Sequence, residues 1–351
     1  MKKTMLAVAL IVAVATAACA EEPSNVEKQI DRLEETLYGQ IRKGSLISRL
    51  DNVEKELYGT NLQGSLAERQ GAHIDFIERG SDNQPSLLYK MSVAEWGLEI
   101  LNNAHLPLID RIPIVEKRLE GNSLEDRPIA MRVERVLGMV DSEPINREIV
   151  ELPAGTVVRL QLMETLKPSV TKKGDRVLMR ATHNVLVNDK LVVPVGAPAE
   201  AVVTSVKKPS FFGRPSEIRF SINSLRTLGA ETLPLTEGES SKQATEFEMS
   251  YVSAAGTSLV GALVLGPIGL AGGFLIRGNA KEIPAGSVMY AETQEAVRVP
   301  AYNVPQALRP LIREIKYIDV LNGGQVDIGS GEKPAAAEKP APKKDTEADN
   351  L

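Results

Sequence analysis

Residues 33–49, LEETLYGQIRKGSLISR, return as residues 53–69, VEKELYGTNLQGSLAER, one period of 20 residues later. Leu37-Tyr38-Gly39 answers Leu57-Tyr58-Gly59, and Gly44-Ser45-Leu46 answers Gly64-Ser65-Leu66, so the period marks a supersecondary unit. Ser24, Ser45 and Ser65 stand where N-caps belong, since a serine hydroxyl accepts from the first free amides of a helix. Val26, Ile30, Leu33 and Leu37 then make one apolar stripe, and Leu46, Leu50, Val53 and Leu57 make the next. Gly39 and Gly59 end the helices, because glycine takes the left-handed conformation at little cost. A helix of about 13 residues is marginal alone, so the stripes must meet each other or a partner.

The unit comes back shortened as Val115-Glu116-Lys117-Arg118-Leu119-Glu120-Gly121 with Asn122-Ser123-Leu124-Glu125-Asp126-Arg127, and again as Val133-Glu134-Arg135-Val136-Leu137-Gly138. Ser92-Val93-Ala94-Glu95 has the spacing of a capping box and opens a predicted helix carrying Trp96. The span 24–140 therefore reads as short capped helices: repeats over 21–80 and further helices over 81–147. Two readings stand: an array that captures envelope proteins or a second copy of itself, in the manner of short coiled coils, and a small bundle packed on itself. His73, on the apolar face of the third helix, reads as a packing residue.

Beyond residue 150 the period changes from helix to strand. In Glu217-Ile218-Arg219-Phe220-Ser221-Ile222-Asn223 the apolar residues alternate with polar ones, as a half-buried strand requires. Similar runs cover 156–162, 176–183, 191–194, 200–206, 231–235 and 287–293, separated by turns such as Lys173-Gly174-Asp175 and Asn188-Asp189-Lys190. Leu152-Pro153-Ala154-Gly155-Thr156, Val193-Pro194-Val195-Gly196-Ala197 and Ile283-Pro284-Ala285-Gly286-Ser287 each open a strand, with proline fixing one turn position and glycine supplying the next. The fold class is α+β: short-helix repeats, then a small β-barrel or sandwich over 148–300 carrying an apolar helical-hairpin insertion at 249–278.

The runs LPAGTVVRLQLMETL, VNDKLVVPVGAPAEAVV, FGRPSEIRFSINSL and IPAGSVMYAETQEAVRV, with a glycine-rich apolar stretch between the last two, carry a resemblance. Together they resemble a β-domain of exported bacterial proteins, similar in pattern to the outer-membrane barrel subunit of type IV secretion and conjugation machines. That family orders strands, an apolar two-helix projection and a returning strand. The resemblance covers roughly 150–299; no inner-membrane anchor or proline-rich spacer precedes it, which sets this chain apart from a secretion channel. The LYG and GSL repeats are similar instead to those of uncharacterised envelope proteins of diderm Firmicutes.

Residues 249–276, MSYVSAAGTSLVGALVLGPIGLAGGFLI, contain no charge. A single crossing would leave the 287–293 strand on the wrong side of a membrane, and Gly266-Pro267-Ile268-Gly269 offers a reversal. Two arms of about 9–15 residues reach about 14–22 Å as helices, short of the ~30 Å hydrocarbon core. The expectation is a hairpin that dips into one leaflet through Leu259, Leu263, Leu265, Ile268, Leu270, Phe274 and Leu275, its glycines letting the arms pack closely. The alternative is a helical pair plugging the barrel mouth. The loop with Phe211, Phe212 and Arg214 suits a membrane interface or partner surface, or else caps the core.

Met1-Lys2-Lys3, the apolar run 5–15 and Ala18-Cys19-Ala20 make 1–20 a signal peptide, so the chain is expected to be exported and periplasmic or outer-membrane associated. Cys19 is either a lipidation site or discarded with the leader. With 41 basic and 46 acidic residues, no basic excess exists for gripping nucleic acid. One cysteine allows no intrachain disulfide or thiolate metal cage, and His73, His105 and His183 are far apart. No phosphate-binding glycine loop, metal-spaced His/Glu pair or nucleophile elbow occurs, so no enzyme, cofactor or metal is expected. Residues 301–328 read as a short helix and strand, and 329–351 as a disordered tail. The expected function is a non-enzymatic envelope scaffold touching the outer membrane; the rival is a soluble periplasmic module holding a glycan, lipid or partner peptide.

Overall fold

The computed structural model describes residues 25–312 apart from 82, 142, 209–215, 255–273 and 279–281. Helices α1 (Asn25–Tyr38), α2 (Leu46–Tyr58) and α3 (Leu66–Ile74) follow the 20-residue repeat, α3 running on into a π-helical turn at Asp75–Arg79. Ser45 and Ser65 cap α2 and α3, and Ser65 with Glu68 closes a full capping box. Ile30, Leu33, Leu37, Leu50, Val53 and Leu57 are buried against other helices, so the stripes are consumed within the chain. Helices α4 (Leu87–Gly97), α5 (Leu108–Glu120) and α6 (Ile129–Val140) complete the array. The cap of α4 is Ser86, not Ser92; Ser92 lies inside a helix that is buried almost all round.

One device joins successive helices. The Glu34 carboxylate accepts from the Arg42 backbone N–H (2.8 Å) and from Nε and Nη2 of Arg49 (3.1 and 2.7 Å). Glu54 accepts from Leu62 N–H (2.9 Å) and from Arg69 through Nε and Nη2 (both 2.7 Å). Glu95 takes Asn103 N–H (3.1 Å) and Arg111 (3.1 and 2.8 Å), and Glu116 takes Leu124 N–H (3.1 Å) and Arg132 (2.9 and 2.7 Å). Each time the amide is eight residues on and the arginine 15 or 16. Two clasps join α1, α2 and α3; two join α4, α5 and α6. The array is thus a tandem pair of three-helix units, stacked α1 on α5 and α2 on α6, with Gly39 lying against Pro107 and Gly59 against Pro128.

The barrel is built from β2 (Val157–Leu162), β3 (Arg176–Ala181), β6 (Pro198–Lys207), β7 (Ser216–Arg226), β8 (Thr232–Thr236) and β10 (Val288–Thr293). Their order β6-β3-β2-β10-β8-β7 closes through a long β6–β7 pairing, which removes free edges. Val158, Leu160, Val177, Met179, Ala199, Ala201, Phe220, Ile222 and Met289 fill the interior, each strand alternating as its sequence requires. Strand β9 (Phe274–Gly278) extends the sheet beside the first half of β7. The expected strand runs are all present. Strands β1 (Glu148–Leu152), β4 (Val185–Val187) and β11 (Val297–Asn303) are additional and combine with β5 (Lys190–Val193) in a second sheet, β1-β11-β5-β4. Strand β11 carries the β-domain past residue 300, and Arg309–Leu311 is a short 3-10 turn.

The second sheet joins the barrel to the helices. Tyr302 of β11 meets Trp96 edge-on at 6.1 Å, and Leu191, Leu228, Tyr302 and Val304 belong to the same apolar core as α1 to α6. The Pro-x-Gly turns also contribute. Ala197 N–H bonds Pro194 C=O (3.1 Å), placing proline first and Gly196, at φ +89°, third in the turn; glycine follows proline by two positions rather than one. This turn lets Val195 C=O accept from Asn102 N–H of the helical region at 3.0 Å.

Removing one side of a clasp leaves a buried charge unpaired. Arg69→Met is expected to cost about 3–5 kcal/mol in urea unfolding, and the double variant Glu54→Leu/Arg69→Met distinctly less. Burial alone would raise the Glu54 and Glu116 pKa values, but their arginine and amide hydrogen bonds outweigh it and hold both low. Their contribution is therefore present above the ordinary carboxylate pKa of about 4.3 and lost as pH falls through the lowered folded values. At the seam, a Cβ on Gly196 would sit 2.5 Å from the Asn102 backbone nitrogen. Gly196→Ala is expected to cost well over 1 kcal/mol, read from the unfolding midpoint followed by Trp96 fluorescence.

Candidate functional site

Helix α7 (Glu239–Ala254) leaves the barrel after β8 and lies across the outer faces of β2 and β10. Its start is fixed by local chemistry: Gly238 N–H donates to Ser241 Oγ (2.9 Å), and Ser241 N–H donates to the Glu292 carboxylate on β10 (2.7 Å). Ala244 and Thr245 face the barrel, and the Thr245 hydroxyl bonds back to Ser241 C=O. One turn on, Glu248 receives Arg159 of β2 through Nη2 (2.7 Å) and Nε (3.2 Å), and the Tyr290 hydroxyl of β10 donates to the same carboxylate. Helix α7 is therefore pinned where the charge-free sequence begins.

Burial disfavours the Glu248 anion, but the hydrogen bonds from Arg159 and Tyr290 outweigh that cost and lower its pKa. Arg159 Nη1 also donates to Thr182 Oγ1 (3.2 Å), bringing in His183. The His183 side chain is buried, and its Nε2 has no partner among the described residues. Burial, then the Arg159 charge, brings its pKa down to about 4. The cluster holds a helix in place through a satisfied ion pair. Among the described residues no group of His, Cys, Asp and Glu is arranged to hold a metal ion. His73 is buried, bonded through Nε2 to Glu54 (3.1 Å) and through Nδ1 to the Tyr58 hydroxyl (3.2 Å).

Two of the residues expected in the apolar hairpin are placed differently. Phe274 and Leu275 belong to β9, opposite Phe220 and Arg219 of β7, so the insertion ends in a strand of the barrel sheet before residue 278. Its first residues, 249–254, close α7. The expected contact residues Leu259, Leu263, Leu265, Ile268 and Leu270 lie outside the described residues, as do Phe211, Phe212, Arg214 and Cys19. Phe211 and Phe212 fall between β6 and β7 in sequence, and those strands carry the ion cluster of Lys207, Glu217 and Arg219, where Arg219 Nε meets Glu217 at 2.6 Å. No helix among the described residues is long and apolar enough to cross a membrane.

Sequence reasoning missed the four clasps and the cluster under α7. The clasps carry a signal, a glutamate followed 15 or 16 residues later by an arginine; the cluster carries none, since its members lie on four separate segments.

The His183 environment predicts a pH dependence. Unfolded, the imidazole titrates near 6.5. Because the folded pKa is depressed to about 4, stability present above 6.5 is lost as pH falls towards 4, by up to roughly 3 kcal/mol. His183→Leu should flatten that part of the pH profile in urea unfolding; an unchanged slope would place the proton uptake elsewhere.

No model of a known protein family matches the chain, and no curated protein matches it.

Proposed function

We propose that the chain is a non-enzymatic scaffold of the bacterial cell envelope that contacts the outer membrane through the stretch between α7 and β9. The observation that supports this reading is the position of the two elements that flank the stretch in sequence. Residues 255–273 hold no charged side chain, and the described residues on both sides belong to the barrel domain: α7 pinned by Glu248, and β9 paired with β7. A stretch whose two flanks belong to one domain is expected to stay on one side of a membrane, and its length suits one leaflet. The leader-like 1–20 supports an exported location.

The helical array supplies a rigid arm in this reading. Its apolar stripes are spent on its own core, so envelope partners or a second copy would meet its outward surface, where Ile41 and Ile47 are exposed. A second reading, a periplasmic module that holds a small ligand, is favoured by a cleft of about 800 Å³ between the array and the barrel.

Flotation with phosphatidylethanolamine/phosphatidylglycerol vesicles tests the first reading. The chain beginning at Glu21 is expected to float, and Leu263→Asp/Leu270→Asp to remain at the bottom while melting at the parent temperature. Folded parent protein that stays at the bottom removes direct lipid contact.

A further inference from the structure

The cleft between the helical array and the barrel has a cationic floor and a rim of mixed charge. Arg111 of α5 forms part of the floor, 1% exposed. Its Nε and Nη2 are engaged by Glu95 and, at 3.3 Å, by Ser92 Oγ. The hydrogen bonds its guanidinium makes run through these two nitrogens. Arg226 of β7 also lines the cleft, half-buried, and its guanidinium forms no hydrogen bond or ion pair among the described residues. Glu35, Glu164 and Glu200 stand exposed around the same opening.

The clasp repeat makes Arg111 informative. In the first two clasps the arginine Nη2 meets a second carboxylate three residues before the glutamate: Asp31 for Arg49 (2.6 Å) and Asp51 for Arg69 (2.5 Å). The equivalent residue for Arg111 is Ser92. The fourth clasp has Pro113 there, and Ser123 Oγ takes the Arg132 Nη2 at 3.1 Å. Of the two arginines lacking the second carboxylate, Arg111 lines the cleft. It shares this cleft with a second guanidinium that has no counter-ion of its own. Burial and then the Arg111 charge weaken the proton affinity of Arg226, with Glu200 acting the other way. A half-buried guanidinium next to another is stabilised by an oxyanion, and Arg binds a carboxylate through parallel N–H donors.

We propose that this cleft binds an amino acid or short peptide by its free carboxylate, held between Arg226 and Arg111, with the ligand's ammonium or N–H groups turned to Glu35, Glu164 and Glu200. The rim carries both signs: Glu35, Glu164 and Glu200 can receive the donors of a ligand whose negative end lies deeper, while Arg32, which pairs with Glu78, and Arg176 stand exposed beside them. The inference gives the ligand of the second reading above and is independent of lipid contact.

Thermal-shift titration of the full chain with four probes decides the matter, since a ligand that binds the native state raises Tm with its concentration. The probes are a mixture of tripeptides with free C-termini, the same mixture amidated, inorganic phosphate and chitotriose. The free-acid mixture is expected to raise Tm, with the amidated mixture needing at least about tenfold higher concentration for the same shift. Arg226→Gln should lose about tenfold or more in free-acid affinity while melting like the parent without ligand, and Arg226→Lys should recover part of it. Equal shifts from acid and amide, an unaffected Arg226→Gln, or phosphate matching the peptides would overturn the proposal. Binding of chitotriose alone overturns it while leaving a ligand-holding module standing. No shift with any probe removes both.

Discussion

A buried glutamate has to be matched in place, and in this protein that requirement organises the helical half. Each of Glu34, Glu54, Glu95 and Glu116 is at most 1% exposed, and each is met by an amide eight residues on and by two nitrogens of one arginine. The amide holds the connecting segment to the preceding helix; the arginine holds the first turns of the following helix to it. The clasp therefore sets the angle and register between consecutive helices, which apolar stripes alone leave open to sliding. Its net contribution to stability is modest because desolvation offsets much of the attraction, whereas its loss on one side is severe. Three helices joined this way, twice over, make two like units that stack.

The barrel meets a different constraint. Six strands close on themselves, so inward residues must be small enough to fit: Ala181, Ala199, Ala201 and Ala291 alternate in the interior with Leu160, Met179 and Phe220. Closure leaves the short sheet β1-β11-β5-β4 to carry the connection to the helices, and Tyr302 serves both sides of it. Its ring packs on Trp96 while its hydroxyl donates to Asp141 at 2.9 Å. With a shared core and a Pro-x-Gly turn bonded to Asn102, the two halves form one body. The cleft is the space left between them, and α7 is held on the far side of β2 and β10 by an ion pair of its own.

The legible features were those carried by period and composition. The 20-residue repeat, the caps Ser45 and Ser65, the terminating glycines and the alternation of Ile218, Phe220 and Ile222 are local, and each appears where the pattern puts it; Ser24 lies outside the described residues. The start of α4 was misplaced because Ser92-Val93-Ala94-Glu95 imitates a capping box; Ser92 lies within a buried helix, where its hydroxyl oxygen accepts from Arg111 Nη2. Phe274 and Leu275 read as part of one apolar run, since hydrophobicity alone does not distinguish a strand inside a barrel sheet from a segment bound for lipid.

The sequence by itself determined the helix-then-strand order, the helix limits set by serine and glycine, and the inward face of each barrel strand, because backbone preference and side-chain period act over a few residues. Only the tertiary structure decided which carboxylate meets which guanidinium, that the repeats pair into two stacked units, and that Arg111 and Arg226 share one cleft. Those outcomes depend on residues distant in the chain, whose charges become strong partners only once packing has removed the water between them.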